Sequence, residues 1–183
     1  MAEMKTLTLL RHAKSGWDDP VSRDFDRPLN KRGKHASEVM GKWLRDHGIH
    51  FDLIIGSPAI RVVETIEHFA IGYGETMAPM WDKRVYLASA QSLLEVIQDA
   101  PDTAESLLLV GHNPGFEDLV LMLVPDVAGD DARDAVEEKY PTAALAEIRF
   151  DVDRWADVRA GQGRLEWFTR PRDVDPALGP EAR

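Results

Sequence analysis

The sequence predicts an α/β fold of three layers, in which a mostly parallel central sheet is flanked by helices. Two observations carry this prediction. Short apolar runs alternate with helical patterns along the chain, and Ser106–Val110 is almost entirely apolar, as a strand buried on both faces should be. We expect six strands, at Thr6–Leu10, Phe51–Gly56, Met80–Tyr86, Ser106–Val110, Ala144–Phe150 and Arg164–Thr169.

Capping residues and prolines mark the expected helix starts. Ser57-Pro58 and Asn113-Pro114 each combine an N-cap residue with proline at the first helical position. Ser89 is expected to cap a further helix. Helices are therefore predicted from Asn30 to His47, from Pro58 past Phe69, from Ser89 to Gln98 and from Pro114 to about Leu123.

The chain has 183 residues, which fits one domain with a proper core. We expect residues 1–170 to form this domain. Asp126–Lys139 is rich in acidic side chains and is predicted to be a solvated loop with a short helix. Pro171–Arg183 contains three prolines and is predicted to be an extended or frayed tail.

Composition excludes several kinds of chemistry. The chain has no cysteine, so disulfides, zinc–thiolate sites and cysteine nucleophiles are excluded. The N-terminus lacks the basic and apolar regions of a signal peptide, and the apolar run Leu119–Val124 is too short to span a bilayer. We therefore expect a cytoplasmic protein without membrane attachment. The formal net charge of -10 argues against binding of nucleic acid, so any phosphate must be bound in a local cationic pocket.

Three predicted strands each end in a cationic or phosphate-binding group. Arg11-His12 follows the first strand, Ser57-Pro58 leads from the second strand to Arg61, and His112-Asn113 follows the fourth. Ligands of parallel sheets bind beyond the carboxyl ends of the strands. Residues about 100 positions apart are thus predicted to meet at one edge of the sheet.

These residue types suit phosphoryl transfer. A phosphoryl group needs neutralisation of its oxygens and an in-line nucleophile. Arg11 and Arg61 offer planar forks for phosphate oxygens. One imidazole can attack phosphorus while the other stabilises the transferring oxygens, and the residues alone do not decide between His12 and His112. No HxH or HExxH spacing is present, so no metal is expected.

Each motif alone has a structural explanation, such as a helix cap, a turn or an ion pair. Their occurrence in this order, each at a strand-to-helix junction, favours a phosphate site. Four segments together resemble the histidine phosphatase superfamily, and within it the small SixA-type phosphohistidine phosphatases. The segments are Leu9–Ser15, Arg27–Gly33, Ser57–Thr65 and Val110–Gly115.

The resemblance extends from the first strand to about Phe168 and implies a phosphoglycerate mutase-like fold. It departs from the family at Ala13, where glycine is usual. It assigns His12 as the nucleophile that becomes phosphorylated, with Arg11, Arg61 and His112 completing the phosphate pocket. It implies no metal or organic cofactor. Further substrate contacts are expected from Ser15, Arg27 and Asn113.

The sequence does not identify the acid that protonates the leaving group. Many relatives use a glutamate shortly after the third strand, but Asp82–Ala88 contains none. Asp18 is a candidate acid, although a solvated loop aspartate is the competing interpretation. A missing strong acid matters least for phosphohistidine, because its imidazole leaves readily once protonated.

The resulting prediction is a metal-independent phosphatase that removes phosphate from phosphohistidine on a protein. Only about 20 residues separate the third strand from Ser106, which leaves no room for a lid subdomain and favours an open site. We expect a monomer. The alternatives are a phosphomonoesterase for a small phosphorylated metabolite and a non-catalytic phosphate-binding domain.

Overall fold

A computed structural model describes residues 4–16 and 23–179. Within them the chain forms one six-stranded sheet with the spatial order β3-β2-β4-β1-β5-β6. The first four strands in this order are parallel, and β5 and β6 are antiparallel additions. The predicted mostly parallel sheet is confirmed. The strands are β1 Met4–Arg11, β2 Leu53–Gly56, β3 Met80–Trp81, β4 Ser106–Gly111, β5 Leu145–Asp151 and β6 Arg164–Thr169.

Helices cover both faces of the sheet and create two hydrophobic cores. Leu107 and Leu109 of β4 point into one core, and Leu108 and Val110 point into the other. All four side chains are fully buried, which explains why this strand is apolar at successive positions. The helices are α1 Lys31–Asp46, α2 Ile60–Tyr73, α3 Ala90–Gln98, α4 Gly115–Leu123, α5 Asp131–Glu138 and α6 Pro171–Val174.

The register of the parallel strands aligns their carboxyl ends. Arg11 lies opposite Gly111, and Gly56 lies opposite Val110. Two backbone hydrogen bonds continue this alignment past the strand ends, from the His12 amide to the Gly111 carbonyl and from the Ser57 amide to the Val110 carbonyl. The sheet therefore delivers the loops after β1, β2 and β4 to one edge.

Two expected elements differ in the structure. The predicted third strand is only Met80–Trp81, because Asp82 caps a 3-10 helix at Lys83–Val85 by accepting a hydrogen bond from the Arg84 amide. The prediction of an extended or frayed tail is wrong for residues 171–179. Asp173 accepts a hydrogen bond from the Arg170 amide and starts α6, and a 3-10 helix follows at Pro176–Leu178.

The helix starts predicted at Ser57-Pro58 and Asn113-Pro114 also lie further along the chain than expected. Helix α2 begins at Ile60 with Ala59 as its N-cap, so Ser57 is not the capping residue. Helix α4 begins at Gly115 with Pro114 as N-cap, although Asn113 still accepts a hydrogen bond from the Glu117 amide. The Ser57 hydroxyl is hydrogen-bonded to His112 instead, and the Asn113 side-chain amide also donates to the Tyr140 carbonyl. The cap predicted at Ser89 is confirmed, and Asn30 caps α1 by accepting a hydrogen bond from the Gly33 amide.

The acidic segment 126–139 contains the expected short helix, α5. Its Arg133 is buried, and its guanidinium donates to the carbonyls of Val124 and Leu121. Within the described ranges, no helix has the length and apolar content that a membrane span requires.

Candidate active site

His12 occupies the first position after β1 and is almost fully buried, with 7% of its surface exposed. Its Nδ1 lies 2.8 Å from the carbonyl oxygen of Ala13. A carbonyl oxygen can only accept, so Nδ1 carries the proton. In the neutral ring the lone pair is consequently on Nε2, the atom that would attack an electrophile.

The surroundings of His12 keep its imidazole neutral. Burial, together with the nearby positive charges of Arg11 and Arg61, lowers the pKa of His12 to about 3. The hydrogen bond to the Ala13 carbonyl acts in the opposite direction but is outweighed. At neutral pH the ring is therefore a neutral base whose Nε2 is free to act as a nucleophile.

His112 faces His12 across the site, and the centroids of the two rings are 5.3 Å apart. Its Nε2 lies 2.8 Å from the hydroxyl oxygen of Ser57. This oxygen accepts from the Ala59 amide at 3.3 Å, and the hydroxyl proton can be donated to Nε2. In that arrangement Nδ1 of His112 is the remaining N–H donor. Burial, with the charge of Arg61, lowers the pKa of His112 to about 3.

Hydrogen bonds from the Nη atoms hold the guanidinium groups of Arg11 and Arg61 in place. Arg11 donates from Nη1 to the carbonyl of Tyr140 at 2.8 Å. Arg61, only 2% exposed, donates from Nη1 to the Asp24 carbonyl at 2.7 Å and from Nη2 to the Asp24 carboxylate at 2.9 Å. These bonds orient the planar forks before any ligand binds.

Buried nitrogens without a hydrogen-bond partner are concentrated at this edge of the sheet. Across the described part of the chain, four buried side-chain nitrogen or oxygen atoms lack a hydrogen-bond partner, and three of them belong to the site. Each such atom costs about 1–3 kcal/mol when it is left unpaired. A tetrahedral oxyanion would supply acceptors to all three donors. They are Nε of Arg11, Nε of Arg61 and Nδ1 of His112.

Asp24 joins the site, although it is not among the residues that the sequence predicts. It lies in a 3-10 helix, Asp24–Asp26, and its Oδ2 accepts from Arg61 and from the Tyr86 hydroxyl at 2.6 Å. Its Oδ1 accepts from Nε and Nη2 of Arg27. The only hint in the sequence is its position three residues before Arg27, which one 3-10 turn brings within reach.

The charge of Asp24 follows from these contacts. Burial alone would raise the pKa of its carboxyl group. The hydrogen bonds from Tyr86 and the two arginines outweigh burial and lower that pKa to about 2. Asp24 is thus a carboxylate at neutral pH, and it stabilises the position of Arg61.

The other predicted contact residues lie around this centre. Arg27 donates from Nη1 to the Ser15 hydroxyl at 2.8 Å, and its charge is one of those that lower the pKa of His112. Asn113 donates to the Tyr140 carbonyl, the same oxygen that accepts from Arg11. Contacts of these three side chains with substrate stay predictions. Asp18 lies outside the described residues.

A neutral imidazole with its lone pair free, beside two guanidinium groups and a second imidazole, has the components for transfer of a phosphoryl group to nitrogen. The fold and this set of side chains define a class of phosphoryl-transfer proteins that work without a phosphate-binding glycine loop. Comparison with known proteins identifies this class.

The family model of the histidine phosphatase superfamily (branch 1) matches residues 7–83. The uncharacterized protein Rv1276c of Mycobacterium tuberculosis is 35% identical over 165 residues, which are 89% of this chain and 100% of that protein. A solved structure from Agrobacterium tumefaciens, assigned to the phosphohistidine phosphatases SixA, is 30% identical with a TM-score of 0.74 and covers 91% of this chain and 98% of its own. The chain belongs to the histidine phosphatase superfamily and is of the SixA type.

The phosphoglycerate mutase-like fold is confirmed by a more distant likeness. The phosphoglycerate mutase of Bacillus anthracis is 17% identical, with a TM-score of 0.61 over 94% of this chain and 96% of its own. At this identity the likeness concerns the fold alone.

Proposed function

We propose that this protein is a metal-independent phosphatase that works through a covalent phosphohistidine intermediate on His12, with phosphohistidine on another protein as its substrate. One observation carries the proposal. The Nε2 lone pair of a neutral His12 is free, and the neighbouring Arg11, Arg61 and His112 each have one unpaired buried nitrogen. Membership of the histidine phosphatase superfamily supports the same assignment.

In the first step, Nε2 of His12 attacks phosphorus. The new N–P bond forms as the bond from phosphorus to the leaving nitrogen of the substrate breaks, and that nitrogen takes up a proton. The three unpaired donors neutralise the equatorial oxygens of the transferring group. In the second step, water attacks phosphorus, the bond to His12 breaks, and inorganic phosphate and the neutral imidazole are released.

The source of the leaving-group proton bears on the substrate. Asp24 is ionised at neutral pH and has no proton to give, and Asp18 remains the predicted candidate. An alkyl oxide is a poor leaving group without a strong acid, whereas an imidazole with a pKa near neutrality can take a proton from water. This chemistry favours a phosphoramidate over an alkyl phosphate.

The shape of the chain around the site supports a protein substrate. Between β3 and β4 the chain forms only the 3-10 helix Lys83–Val85 and α3. A segment of that size covers one face of the sheet and provides no separate subdomain over the edge. A phosphorylated side chain on a protein surface can approach such a site.

A small phosphomonoester is the second candidate substrate, since the phosphate-binding donors alone do not distinguish the leaving group. Steady-state kcat/KM should be compared between a phosphohistidine-bearing protein and a panel of sugar and nucleotide phosphates. We expect the phosphohistidine protein to have the highest kcat/KM. Faster turnover of any small ester contradicts the proposed substrate.

Trapping tests the intermediate itself and the non-catalytic alternative. After brief exposure to substrate labelled in the phosphoryl group, an alkaline quench preserves the acid-labile P–N bond. We expect label on the wild-type protein and on the His47→Ala control, whose histidine is exposed. His12→Ala should retain no label. Wild-type protein with neither label nor turnover would overturn the enzymatic assignment.

A further inference from the structure

A strongly basic cavity lies directly beside the candidate active site. It has a volume of about 360 Å³, which is within the range of about 300–1,000 Å³ typical of ligand pockets. No acidic side chain lines it within residues 4–16 and 23–179. Six cationic side chains do: Arg11, Lys14, Arg32, Lys139, Arg170 and Arg172.

This concentration of positive charge contrasts with the acidic composition of the chain as a whole. Acidic residues outnumber lysine and arginine by 32 to 22, and the net charge is -10. Cations gathered around one cavity repel one another, and a bound anion would relieve that repulsion. A concave surface of a single sign also raises the local concentration of oppositely charged ligands.

Neutral carbonyl groups position two of these arginines without cancelling their charge. Arg11 donates to the Tyr140 carbonyl, and Arg32 donates from Nη2 to the carbonyls of Ala177 and Gly179. A carbonyl oxygen orients a guanidinium yet leaves its full positive charge for a ligand. The segment that follows β6 thereby forms one wall of the cavity.

The remaining cations differ in their partners. Arg170 forms an ion pair with Asp173 at 2.9 Å, which neutralises part of its charge. Lys14 and Lys139 are exposed and form no ion pair with the described residues. Arg172 is also exposed, with Asp173 as its acidic neighbour. Among the described residues, five of the six cations form no ion pair within the cavity or beside it, and these five can interact with an anion.

Arg11 connects the cavity to the phosphate site. It lines the cavity, and its charge is one of those that lower the pKa of His12. We propose that the cavity binds a second anionic group of the substrate, a phosphate or carboxylate close to the phosphoryl group that His12 attacks. This inference rests on the proposed function, because the proposed function places the transferable phosphoryl group at His12.

Two matched substrate pairs test the proposal and separate the possible sources of the second anion. One pair is a phosphohistidine peptide with acidic flanking residues and the same peptide with alanines there. The other is an alkyl bisphosphate and the corresponding monophosphate. We expect wild-type kcat/KM to be at least about tenfold higher for the more anionic member of one pair, with a preference that shrinks as salt rises. The substrate pair that shows this preference identifies whether the second anion belongs to a peptide or to a small molecule.

Charge reversal provides the matched variants. Lys139→Glu combined with Arg172→Glu should abolish the preference, so that kcat/KM for the two members of the discriminating pair agrees within about twofold. Lys42→Glu combined with Lys83→Glu changes the net charge equally at exposed positions outside the cavity and should keep the preference. Thermal unfolding checks that both variants are folded.

A binding measurement separates failure of this inference from failure of the proposed function. Calorimetry with tripolyphosphate and with inorganic phosphate needs no turnover. We expect tripolyphosphate to bind at least about tenfold more tightly to the wild type, and the Lys139→Glu, Arg172→Glu variant to lose this difference. Equal wild-type affinities together with no preference in either substrate pair would overturn the cavity assignment. Absence of phosphohistidine turnover alone contradicts only the proposed substrate.

Discussion

Two imidazole rings of one site share the same tautomer but present different nitrogens, because their neighbours engage Nδ1 of one ring and Nε2 of the other. The Ala13 carbonyl places the proton of His12 on Nδ1, and the Ser57 hydroxyl can donate to Nε2 of His112. One ring then presents a lone pair and the other an N–H group. This division of roles depends on a backbone carbonyl and a serine, so the histidines themselves do not reveal it in the sequence.

Removing the Ser57 hydroxyl tests this assignment. Ser57→Ala deprives Nε2 of His112 of its partner, so Nδ1 is no longer held as the donor. A lost hydrogen bond of about 1 kcal/mol corresponds to a reduction in kcat/KM of roughly five- to tenfold. Nitrogen NMR of His112 should show a mixture of tautomers.

The control for this experiment is Ser37→Ala, which removes another fully buried hydroxyl, one bonded to the Gly33 carbonyl in α1. It should lower the free energy of unfolding and leave kcat/KM unchanged. An equal loss of kcat/KM in both variants would show that Ser57 has only a packing role.

At the level of elements, α1 approaches the loop after β1 closely enough to affect His12. A Cβ added to Gly33 would lie 2.1 Å from the Lys14 carbonyl oxygen. The same loop is bonded to the start of α1 through the Asn30 amide and the Lys14 carbonyl. The Arg27–Gly33 segment therefore supports the loop that carries the nucleophile.

Gly33→Ala should separate these two elements. Glycine-to-alanine changes in an open helix interior stabilise by roughly 0.5–1 kcal/mol, whereas forcing a methyl group against backbone costs about 1–3 kcal/mol. We expect the free energy of unfolding to fall and kcat/KM to fall with it. Denaturant unfolding and steady-state kinetics measure the two effects, and a stabilised variant would contradict the close approach.

At the level of the whole molecule, burial of two neutral histidines makes stability depend on pH. His12 and His112 have folded-state pKa values of about 3, compared with about 6.5 in the unfolded chain. Between these values the unfolded chain binds protons that the folded protein does not. The stability that these groups contribute is thus fully present above pH 6.5 and decreases as pH falls toward 3.

Urea unfolding at pH 6.5, 5.5 and 4.5 should reveal this decrease. Each histidine contributes a slope of up to about 1.4 kcal/mol per pH unit. His12→Ala should have a shallower slope than the wild type, because one titrating group is gone. His47→Ala removes an exposed histidine and should keep the wild-type slope. Parallel slopes in all three proteins would contradict the lowered pKa of His12.

Alternation of strands and helices predicted the layered sheet because hydrophobic periodicity is a local property of the chain. The short β3 and the helical segment after β6 were not predictable in this way. The 3-10 helix after β3 depends on a cap by Asp82, and residues 177 and 179 are held by Arg32, about 145 positions earlier in the sequence. Contacts between residues so far apart in the chain leave no local pattern in the sequence.

The sequence by itself determined the type of fold and the convergence of Arg11, His12, Arg61 and His112, because the carboxyl ends of parallel strands must share one edge of the sheet. Only the tertiary structure decided which nitrogen of each ring is free. It also decided that Asp24 holds Arg61 and that six cations surround a cavity beside the site. Hydrogen-bond direction, burial and charge density depend on neighbours far apart in the chain.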